Sequence, residues 1–216
     1  MIKPYYQDGF CTIYNADCRD VLPQLAPVDL VCTDPPYGLQ WKPLKLQERQ
    51  ATRTDWESAS RWDIKPDADL LKAVKVMGNE WIVWGGNYLA SVLGDCKSPL
   101  VWDKQTGGNA FADGELAFTS FKSGTLRIFR HQWCGAFKDS ERGQKASHPT
   151  QKPVALMKWC LSFVPEAKTV LDPFMGSGTT LRAAKDLGLK SIGIEIEKKY
   201  CDIAIERLRQ QAFTFE

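Results

Sequence analysis

Short apolar runs recur along the chain, separated by stretches in which apolar residues return every three or four positions. The runs are rich in β-branched and aromatic residues and are often apolar at successive positions, which is typical of buried parallel strands. They predict seven strands, at 11–15, 28–33, 80–85, 99–104, 115–120, 169–172 and 190–195. The helical spacing predicts helices at 67–77, 87–94, 153–164, 177–187 and 197–211. This alternation predicts an α/β fold with a mostly parallel sheet.

Two segments fall outside this alternation, at 38–63 and 103–149. Both are longer than ordinary connections, which indicates functional loops. Within the second, 115–120 and 125–130 look like the two strands of a hairpin. Since there is no internal repeat and no interdomain linker, we expect one domain over 1–216 with two inserted loops.

The composition is that of an ordinary globular protein, with 216 residues, 44% hydrophobic and 25% charged. No apolar run reaches the ~18 residues of a membrane span, and the first ten residues lack the apolar stretch of a secretory signal. The seven cysteines are scattered without a C-x-x-C pair, and there are two histidines. These features argue against a disulfide framework or a metal site and predict a cytoplasmic protein.

The charge is uneven, although the net charge of +2 is too small to indicate a nucleic-acid binder. The window 119–152 holds seven Lys/Arg and two acids, a balance of +5. A solvated loop face would explain this charge equally well. Aromatic rings alternate with the charges, which favours a nucleic-acid surface; they belong to Phe129, His131, Trp133 and Phe137.

The segment TVLDPFMGSGTT, at 169–180, places a glycine-rich turn between a strand and a helix. Gly176 and Gly178 let the backbone approach a ligand closely. The free N–H groups at the helix start favour an anionic group, a phosphate or a carboxylate. The third glycine of G-x-G-x-x-G is missing, so a tight turn without a ligand is the alternative.

Glu195 ends the next apolar strand, 17 residues beyond Gly178. An acid in this place can accept hydrogen bonds from both ribose hydroxyls of a nucleoside cofactor. The alternative is an acid that favours the start of the 197–211 helix through its dipole. The spacing from the glycine turn favours the cofactor.

The third constellation is TDPPYG, at 33–38, directly after the strand VDLVC. Ligands of open α/β sheets bind at the carboxyl ends of strands. Two prolines stiffen the loop and leave their carbonyls free. Asp34 adds a carboxylate and Tyr37 a ring, which suits an exocyclic amine that needs two acceptors and a stacking face. The alternative is a rigid Pro-Pro turn with a buried tyrosine.

With these residues the sequence resembles the β group of amino-group DNA methyltransferases. DPPY at 34–37 is similar to the catalytic tetrapeptide of that family, and DPFMGSG at 172–178 to its cofactor loop, in the β-group order. HPTQKP at 148–153, WGGNYL at 84–89 and LVWDK at 100–104 resemble further motifs of the group.

The resemblance implies a Rossmann-like class I methyltransferase fold with a seven-stranded sheet and a circularly permuted motif order. The chain would enter at the third strand and supply the first two strands last. The implied cofactor is S-adenosyl-L-methionine, with no metal. The implied catalytic residues are Asp34, Pro35, Pro36 and Tyr37. The implied cofactor-binding residues are Asp17, Cys18, Thr150, Lys152, Asp172, Phe174, Gly176, Ser177, Gly178, Thr179, Thr180, Glu195 and Ile196.

One departure concerns Asp17, the expected adenine-binding acid. The chain has Ala16 where the family more often has glycine, so a turn cap is the alternative role for Asp17.

The resemblance also implies double-stranded DNA as the partner and a monomer or homodimer. Candidate DNA contacts are Lys122, Arg127, Arg130, Lys138, Arg142 and Lys145 in the second inserted loop and Lys42, Arg49 and Arg53 in the first.

The favoured reaction is methylation of adenine N6 by base flipping and direct in-line transfer, because aspartate heads the tetrapeptide of the adenine enzymes. Cytosine N4 is the alternative, and an RNA base is a third. Cytosine C5 chemistry would need a Pro-Cys pair, which the sequence lacks. A nicotinamide oxidoreductase could share the glycine turn and Glu195 but has no use for DPPY. A non-catalytic DNA-binding relative would not need both motifs intact.

Overall fold

The computed structural model describes residues 2–39, 63–107, 112–134, 137–141 and 151–209. A nine-stranded sheet forms its centre, in the order β1-β2-β11-β10-β3-β4-β6-β5-β7, and β8 and β9 form a separate antiparallel ribbon. The strands are β1 (Tyr6–Gln7), β2 (Cys11–Asn15), β3 (Val28–Thr33), β4 (Gly78–Trp84), β5 (Leu100–Asp103), β6 (Gly114–Thr119), β7 (Arg127–Arg130), β8 (Trp133–Cys134), β9 (Phe137–Lys138), β10 (Thr169–Asp172) and β11 (Lys190–Glu195).

Six α-helices accompany the strands of the described chain: α1 (Cys18–Val21), α2 (Ala68–Val76), α3 (Gly86–Leu93), α4 (Val154–Leu161), α5 (Thr179–Asp186) and α6 (Lys198–Arg209). A 3₁₀ turn, Leu22–Gln24, follows α1. Asp67 caps α2, because its carboxylate accepts a hydrogen bond of 2.8 Å from the Leu70 N–H. No helix in the described part of the chain is long and apolar enough to cross a membrane.

All seven predicted strands are present in the sheet, within two residues of their predicted limits. The seven-strand count is corrected to nine because β1 and β7 extend the two edges. The predicted hairpin at 115–120 and 125–130 is wrong. The strands β6 and β7 do not pair with each other, since β5 lies between them, antiparallel to β6 and parallel to β7.

The sheet is covered on both faces. Helices α4, α5 and α6 pack on one face, where Leu30 and Val170 meet buried α4 residues such as Leu156. Helices α1, α2 and α3 cover the other face, where Val31 and Leu171 are buried. Successive residues of β3 and β10 therefore face opposite cores, which explains the continuous apolar runs in their sequence.

The topology brings distant motifs to one edge. The last two strands along the chain, β10 and β11, lie between β2 and β3 in the sheet, so the permuted order is confirmed. Since β2, β3, β10 and β11 are parallel, their carboxyl ends meet. Asp34, Asp172 and Glu195 thereby lie along one edge of the sheet, where ligands of open α/β sheets bind.

Candidate active site

The DPPY loop begins where β3 ends, and its carboxylate is engaged at both oxygens. The Tyr37 hydroxyl donates a hydrogen bond of 2.5 Å to Oδ1 of Asp34. The Lys152 ammonium forms an ion pair with Oδ2. About a fifth of the Asp34 side chain is exposed, against 4% of Lys152. The carboxylate thus lies at the surface of the site and the ammonium lies behind it.

Lys152 also contacts a second acid. Its Nζ lies 2.9 Å from Oε2 of Glu115, the second residue of β6. Glu115 in turn pairs with Nζ of Lys104, at 2.5 Å from Oε1. β6 runs antiparallel to β4 and β5, so its first residues reach the edge at which β5 ends, and Lys104 follows β5 directly. Asp34, Lys152, Glu115 and Lys104 therefore form a row of four charges of alternating sign.

These neighbours set the protonation of the cluster. Burial raises the pKa of Asp34 above its ordinary value, and the Lys152 ammonium opposes that rise. Burial alone would lower the pKa of Lys152, but Asp34 and Glu115 outweigh it and raise the pKa. Burial likewise opposes ionisation of Glu115, yet Lys152 and Lys104 lower its pKa to about 2. Lys152 and Glu115 are therefore charged at neutral pH.

Aromatic rings line this charged cluster. The Tyr37 ring stacks on Tyr88, with centroids 5.0 Å apart. Lys152 Nζ lies 5.8 Å from the centroid of Tyr37 and 5.5 Å from that of Trp84. Gly85 has a φ of +75°, and a Cβ there would overlap the Tyr37 ring. Gly85, the first glycine of WGGNYL, is thus required by close approach to the DPPY loop.

The glycine-rich turn follows β10 and opens α5. Gly178 has a φ of +75° and precedes Thr179, the first residue of the helix, which no side chain caps. Thr179, Thr180 and Ser177 are buried. Gln151 reaches this turn, with its Oε1 3.5 Å from Ser177 Oγ. Lys152, a predicted cofactor residue, forms its ion pair with Asp34, and its sequence neighbour Gln151 contacts the glycine-rich turn.

Two acids flank the turn without a cationic partner among the described residues. Glu195 accepts hydrogen bonds from the N–H groups of Gly176 at 3.0 Å and Glu197 at 2.8 Å. Asp172 accepts from the Thr33 hydroxyl at 2.6 Å and the Phe174 N–H at 3.1 Å. Burial raises the pKa of Glu195 to about 7 and that of Asp172 to about 6.

The remaining predicted cofactor residues lie beside Glu195. Asn15 Nδ2 donates to the carbonyls of Glu195 and Ile196, both at 2.9 Å, which joins the ends of β2 and β11. Ile196 is 60% exposed. Asp17 caps α1, because its carboxylate accepts a hydrogen bond of 2.8 Å from the Arg19 N–H. The structure therefore contains the cap that the sequence offered as the alternative role of Asp17. Cys18, by contrast, is buried.

The predicted DNA contacts divide into two groups. Arg130 ends β7 on the edge of Asp34, 3.6 Å from Asp103, and Lys138 lies on the following ribbon, over the Trp133 ring at 4.4 Å. Lys122 and Arg127 lie at the opposite end of these strands, where they line a cavity together with Phe121. The structure therefore brings only the first group to the site, among the residues that it describes.

Three of the four rings in the basic window, those of Phe129, His131 and Trp133, form a stack. Phe129 stacks on His131 at 5.4 Å and contacts Trp159 of α4 at 5.2 Å. His131 is 7% exposed, and its Nε2 lies 2.9 Å from Ser140 Oγ. Trp133 continues the stack at 6.4 Å. His131 is buried, whereas Phe129 and Trp133 are partly buried, and the interpretation of the rings as a stacking surface for bases stays a prediction.

Several predicted residues lie outside the described part of the chain. They are Thr150 of the HPTQKP segment, the candidate contacts Arg142, Lys145, Lys42, Arg49 and Arg53, most of the first inserted loop and parts of the second. Among the described residues, no group of three or more His, Cys, Asp or Glu side chains is placed to hold a metal ion.

Four residues of the site were not predicted from the sequence, namely Glu115, Lys104, Arg207 and Glu141. Glu115 and Lys104 complete the charged cluster. Lys104 is the last residue of LVWDK, whose resemblance to a family motif assigned it no role. Arg207 of α6 donates to the Ser177 carbonyl at 3.0 Å and to Thr179 Oγ1 at 3.2 Å, and it also reaches Glu141 at 3.3 Å. Such pairs join residues far apart in sequence, so periodicity alone carries no sign of them.

The residues fit a nucleoside cofactor with a charged amino-acid end. Glu195 and the neighbouring exposed Ile196 offer acceptors and an apolar surface, and the uncapped start of α5 offers N–H donors. A permuted, mostly parallel sheet with this acid and glycine turn beside a DPPY loop defines an S-adenosylmethionine-dependent methyltransferase of class I.

Comparison with known proteins supports this class. The chain is similar to a solved structure described as a complex of M1.HpyAVI with S-adenosylmethionine, at 26% identity and a TM-score of 0.53. The match covers 93% of this chain and all of the other.

Sequence relatives define the family more closely. The type II methyltransferase M.ScaI of Streptomyces caespitosus is 41% identical over 262 residues, which cover 97% of this chain and 85% of that protein. M2.LlaDCHI of Lactococcus lactis subsp. cremoris is 26% identical, over 98% and 94% of the two chains. A profile of the N6/N4 DNA methylase family matches residues 125–206. The chain belongs to the amino-group DNA methyltransferase family.

Proposed function

We propose that this protein transfers a methyl group from S-adenosyl-L-methionine to the exocyclic N6 amine of adenine in double-stranded DNA. One observation carries the proposal: a partly exposed Asp34 carboxylate, held by a buried ammonium, lies on the same sheet edge as the Glu195 and glycine-turn site. Its relatives named above are type II methyltransferases, which supports action at a short specific sequence.

The residues divide between cofactor and base. Glu195 and the start of α5 would hold the cofactor. When bound, S-adenosyl-L-methionine supplies an electrophilic methyl carbon, and the electron pair of the broken S–C bond stays on sulfur. Asp34 and the Pro35 carbonyl accept hydrogen bonds from the two N–H groups of the amine and orient its nitrogen. As the C–N bond forms, the nitrogen gains positive charge beside the Asp34 carboxylate, which therefore stabilises the transition state more than the ground state. The nitrogen then loses one proton to solvent.

Tyr37 has two tasks in this scheme. A base inside a duplex must be flipped out, at a cost of a few kcal/mol. Stacking on the Tyr37 ring returns about 1–3 kcal/mol. Since both oxygens of Asp34 are already engaged, the incoming amine replaces the Tyr37 hydroxyl at Oδ1. Tyr37 thereby changes from a partner of Asp34 to a partner of the base.

The proposed DNA surface is the sheet edge around Asp34. Arg130 and Lys138 lie on the strands that reach it. Arg142, Lys145, Lys42, Arg49 and Arg53 belong to the same proposal through the inserted loops. Lys122 and Arg127 do not, because they lie at the far end of the strands. The protein would act as a monomer or homodimer, which sedimentation in the presence of duplex DNA distinguishes.

The test locates the methyl group. The protein is incubated with duplex DNA and isotopically labelled S-adenosyl-L-methionine, and the DNA is digested to nucleosides for mass spectrometry. We expect label on adenine N6 and none with Asp34→Ala, which should still bind the cofactor. Label on cytosine N4 would overturn the choice of base. Label confined to RNA offered in parallel would overturn the choice of nucleic acid.

A further inference from the structure

Lys152 is the most buried ammonium in the described site, and it contacts two carboxylates. Only 4% of its side chain is exposed, against 21% for Asp34 and 23% for Glu115. A buried charge is costly unless it is paired. Asp34 alone would pair it. The second acid, Glu115, must therefore serve something other than the stability of Lys152 alone.

The charge balance suggests what Glu115 does. An isolated Asp34–Lys152 pair is neutral, and its ammonium would repel the positive charge that develops on the amine. With Glu115 at 2.9 Å from Lys152, the three groups nearest the amine carry a net charge of −1. Lys104 makes the four-group cluster neutral as a whole, but it lies on the far side of Glu115. Lys104 then holds Glu115 ionised from the far side, at 2.5 Å.

We propose that Lys152 and Glu115 are positioning residues for methyl transfer, in which Lys152 holds Asp34 ionised and oriented and Glu115 offsets the charge of Lys152. This inference deepens the proposed function and depends on it only in that an exocyclic amine is the acceptor. It reassigns Lys152 from the cofactor to the catalytic carboxylate.

The walls of the site support a fixed geometry. The rings of Trp84 and Tyr37 lie on Lys152 at 5.5 and 5.8 Å, and Trp84 is fully buried. A cation held against aromatic faces has few other positions to adopt. The titratable or charged groups that face Asp34 from the neighbouring elements are Lys152, Glu115, Tyr37, Asp172 and Cys32.

The two single variants should move the pH profile in opposite directions. Lys152→Met leaves Asp34 and Glu115 as adjacent carboxylates, so the acid limb of the rate should move to higher pH by about one unit or more. Glu115→Gln leaves Lys152 to Asp34 alone, so the acid limb should move to lower pH while the plateau rate falls. A merely structural role would shift neither limb.

The rates are measured in single turnovers at saturating cofactor and DNA, from about pH 5.5 to about pH 9. At neutral pH we expect Lys152→Met to lose about 100-fold in rate and to keep cofactor affinity within about threefold, with partial rescue by Lys152→Arg. Lys152→Met combined with Glu115→Gln should recover about tenfold over Lys152→Met, because two like charges no longer face each other. Lys158→Met is the matched control, since it breaks an ion pair of 2.6 Å with Asp186 on α5.

Three results would overturn the inference. One is an unshifted pH profile in both single variants. Another is a loss of cofactor affinity with an unchanged saturated rate in Lys152→Met, which would return Lys152 to the cofactor. The third is a double variant no faster than Lys152→Met.

A measurement without substrate separates this inference from the proposed function. The carboxyl ¹³C shift of Asp34, assigned with Asp34→Asn, is titrated in the wild type, in Glu115→Gln and in the double variant. We expect the apparent pKa of Asp34 to fall in Glu115→Gln and to rise when Lys152 is also removed. The same apparent pKa of Asp34 in all three proteins would refute the inference, even if no methyl acceptor were found. The experiment does not use the single variant Lys152→Met, so it does not require that variant to fold.

Discussion

Asp34 and Glu195 are both acids at strand ends on one sheet edge, but their surroundings differ. Asp34 faces the ammonium of Lys152 and the hydroxyl of Tyr37. Glu195 faces two backbone N–H groups and, among the described residues, no Lys or Arg. Burial raises the pKa of Glu195 to about 7, so it is close to half-ionised at neutral pH.

Under the proposed function, the difference follows from what each acid would do. Asp34 has to be charged before the base arrives, since its stabilising effect depends on a charge that is already in place. Glu195 gains its partners only with the ligand, because ribose hydroxyls donate to an ionised carboxylate. Under the proposed function, the catalytic acid therefore has a resident cation, whereas the cofactor acid would change its charge when the cofactor binds.

The largest effect should come from the charge of Asp34. Asp34→Asn keeps the size of the side chain but removes the carboxylate, so we expect methyl transfer to fall by about 10³-fold. Cofactor affinity should stay within about twofold, because the proposed cofactor contacts are made by Glu195 and the start of α5 and not by Asp34. Single-turnover labelling gives the first quantity and calorimetric titration the second. Residual transfer above a tenth of the wild-type rate would contradict the role given to Asp34.

Glu195→Gln should show the reverse pattern. Loss of the charged acceptor should weaken cofactor binding by about 10- to 100-fold and leave the rate at saturating cofactor nearly unchanged. Glu206→Gln, an exposed acid on α6, is the control. A fall in the saturated rate without a change in affinity would place Glu195 on the catalytic side of the comparison.

The strands and the acids at their ends could be predicted from the sequence because they depend on local patterns, whereas the permuted order was implied by the family resemblance. The runs VDLVCT and TVLD are apolar at successive positions, since β3 and β10 are buried on both faces. The pairing partner of β6 could not be predicted this way. Its proximity to β7 in sequence favours a hairpin, whereas the sheet places β5 between them.

The same reasoning explains what was found and missed in the site. DPPY and the glycine turn are each one continuous segment of the chain, so each can be recognised in the sequence. The pairing of Glu115 with Lys152 depends on β6 running antiparallel, which brings its first residues to the edge where the other strands end. The packing of Phe129 similarly depends on α4, which lies later in the chain.

The pH dependence of cofactor binding offers a smaller and more specific test of Glu195. Its pKa is raised to about 7 in the free protein, and the ligand hydroxyls favour the ionised form. Affinity should therefore be constant above about pH 7.5 and fall by at most about tenfold per unit below about pH 6.5. Binding near pH 7 should release part of a proton, which calorimetry in buffers of different ionisation enthalpy detects. Glu195→Gln should lose most of this dependence, and Asp172, with a pKa of about 6, accounts for what stays.

The smallest effect should come from the hydroxyl of Tyr37. Tyr37→Phe removes the hydrogen bond of 2.5 Å to Asp34 but keeps the ring. The incoming amine displaces that bond in any case, and Lys152 still holds the other oxygen. Transfer should therefore stay within about threefold of the wild type, since one exchanged hydrogen bond contributes little net free energy. Tyr37→Ala should lose about 10- to 100-fold, because stacking on the flipped base is lost. Rates measured at saturating DNA separate the two variants. If Tyr37→Phe were as slow as Tyr37→Ala, the hydroxyl and not the ring would be the essential group. Asp34 would then need two donors, the Tyr37 hydroxyl and the Lys152 ammonium, whereas the comparison with Glu195 treats Lys152 as its one essential partner.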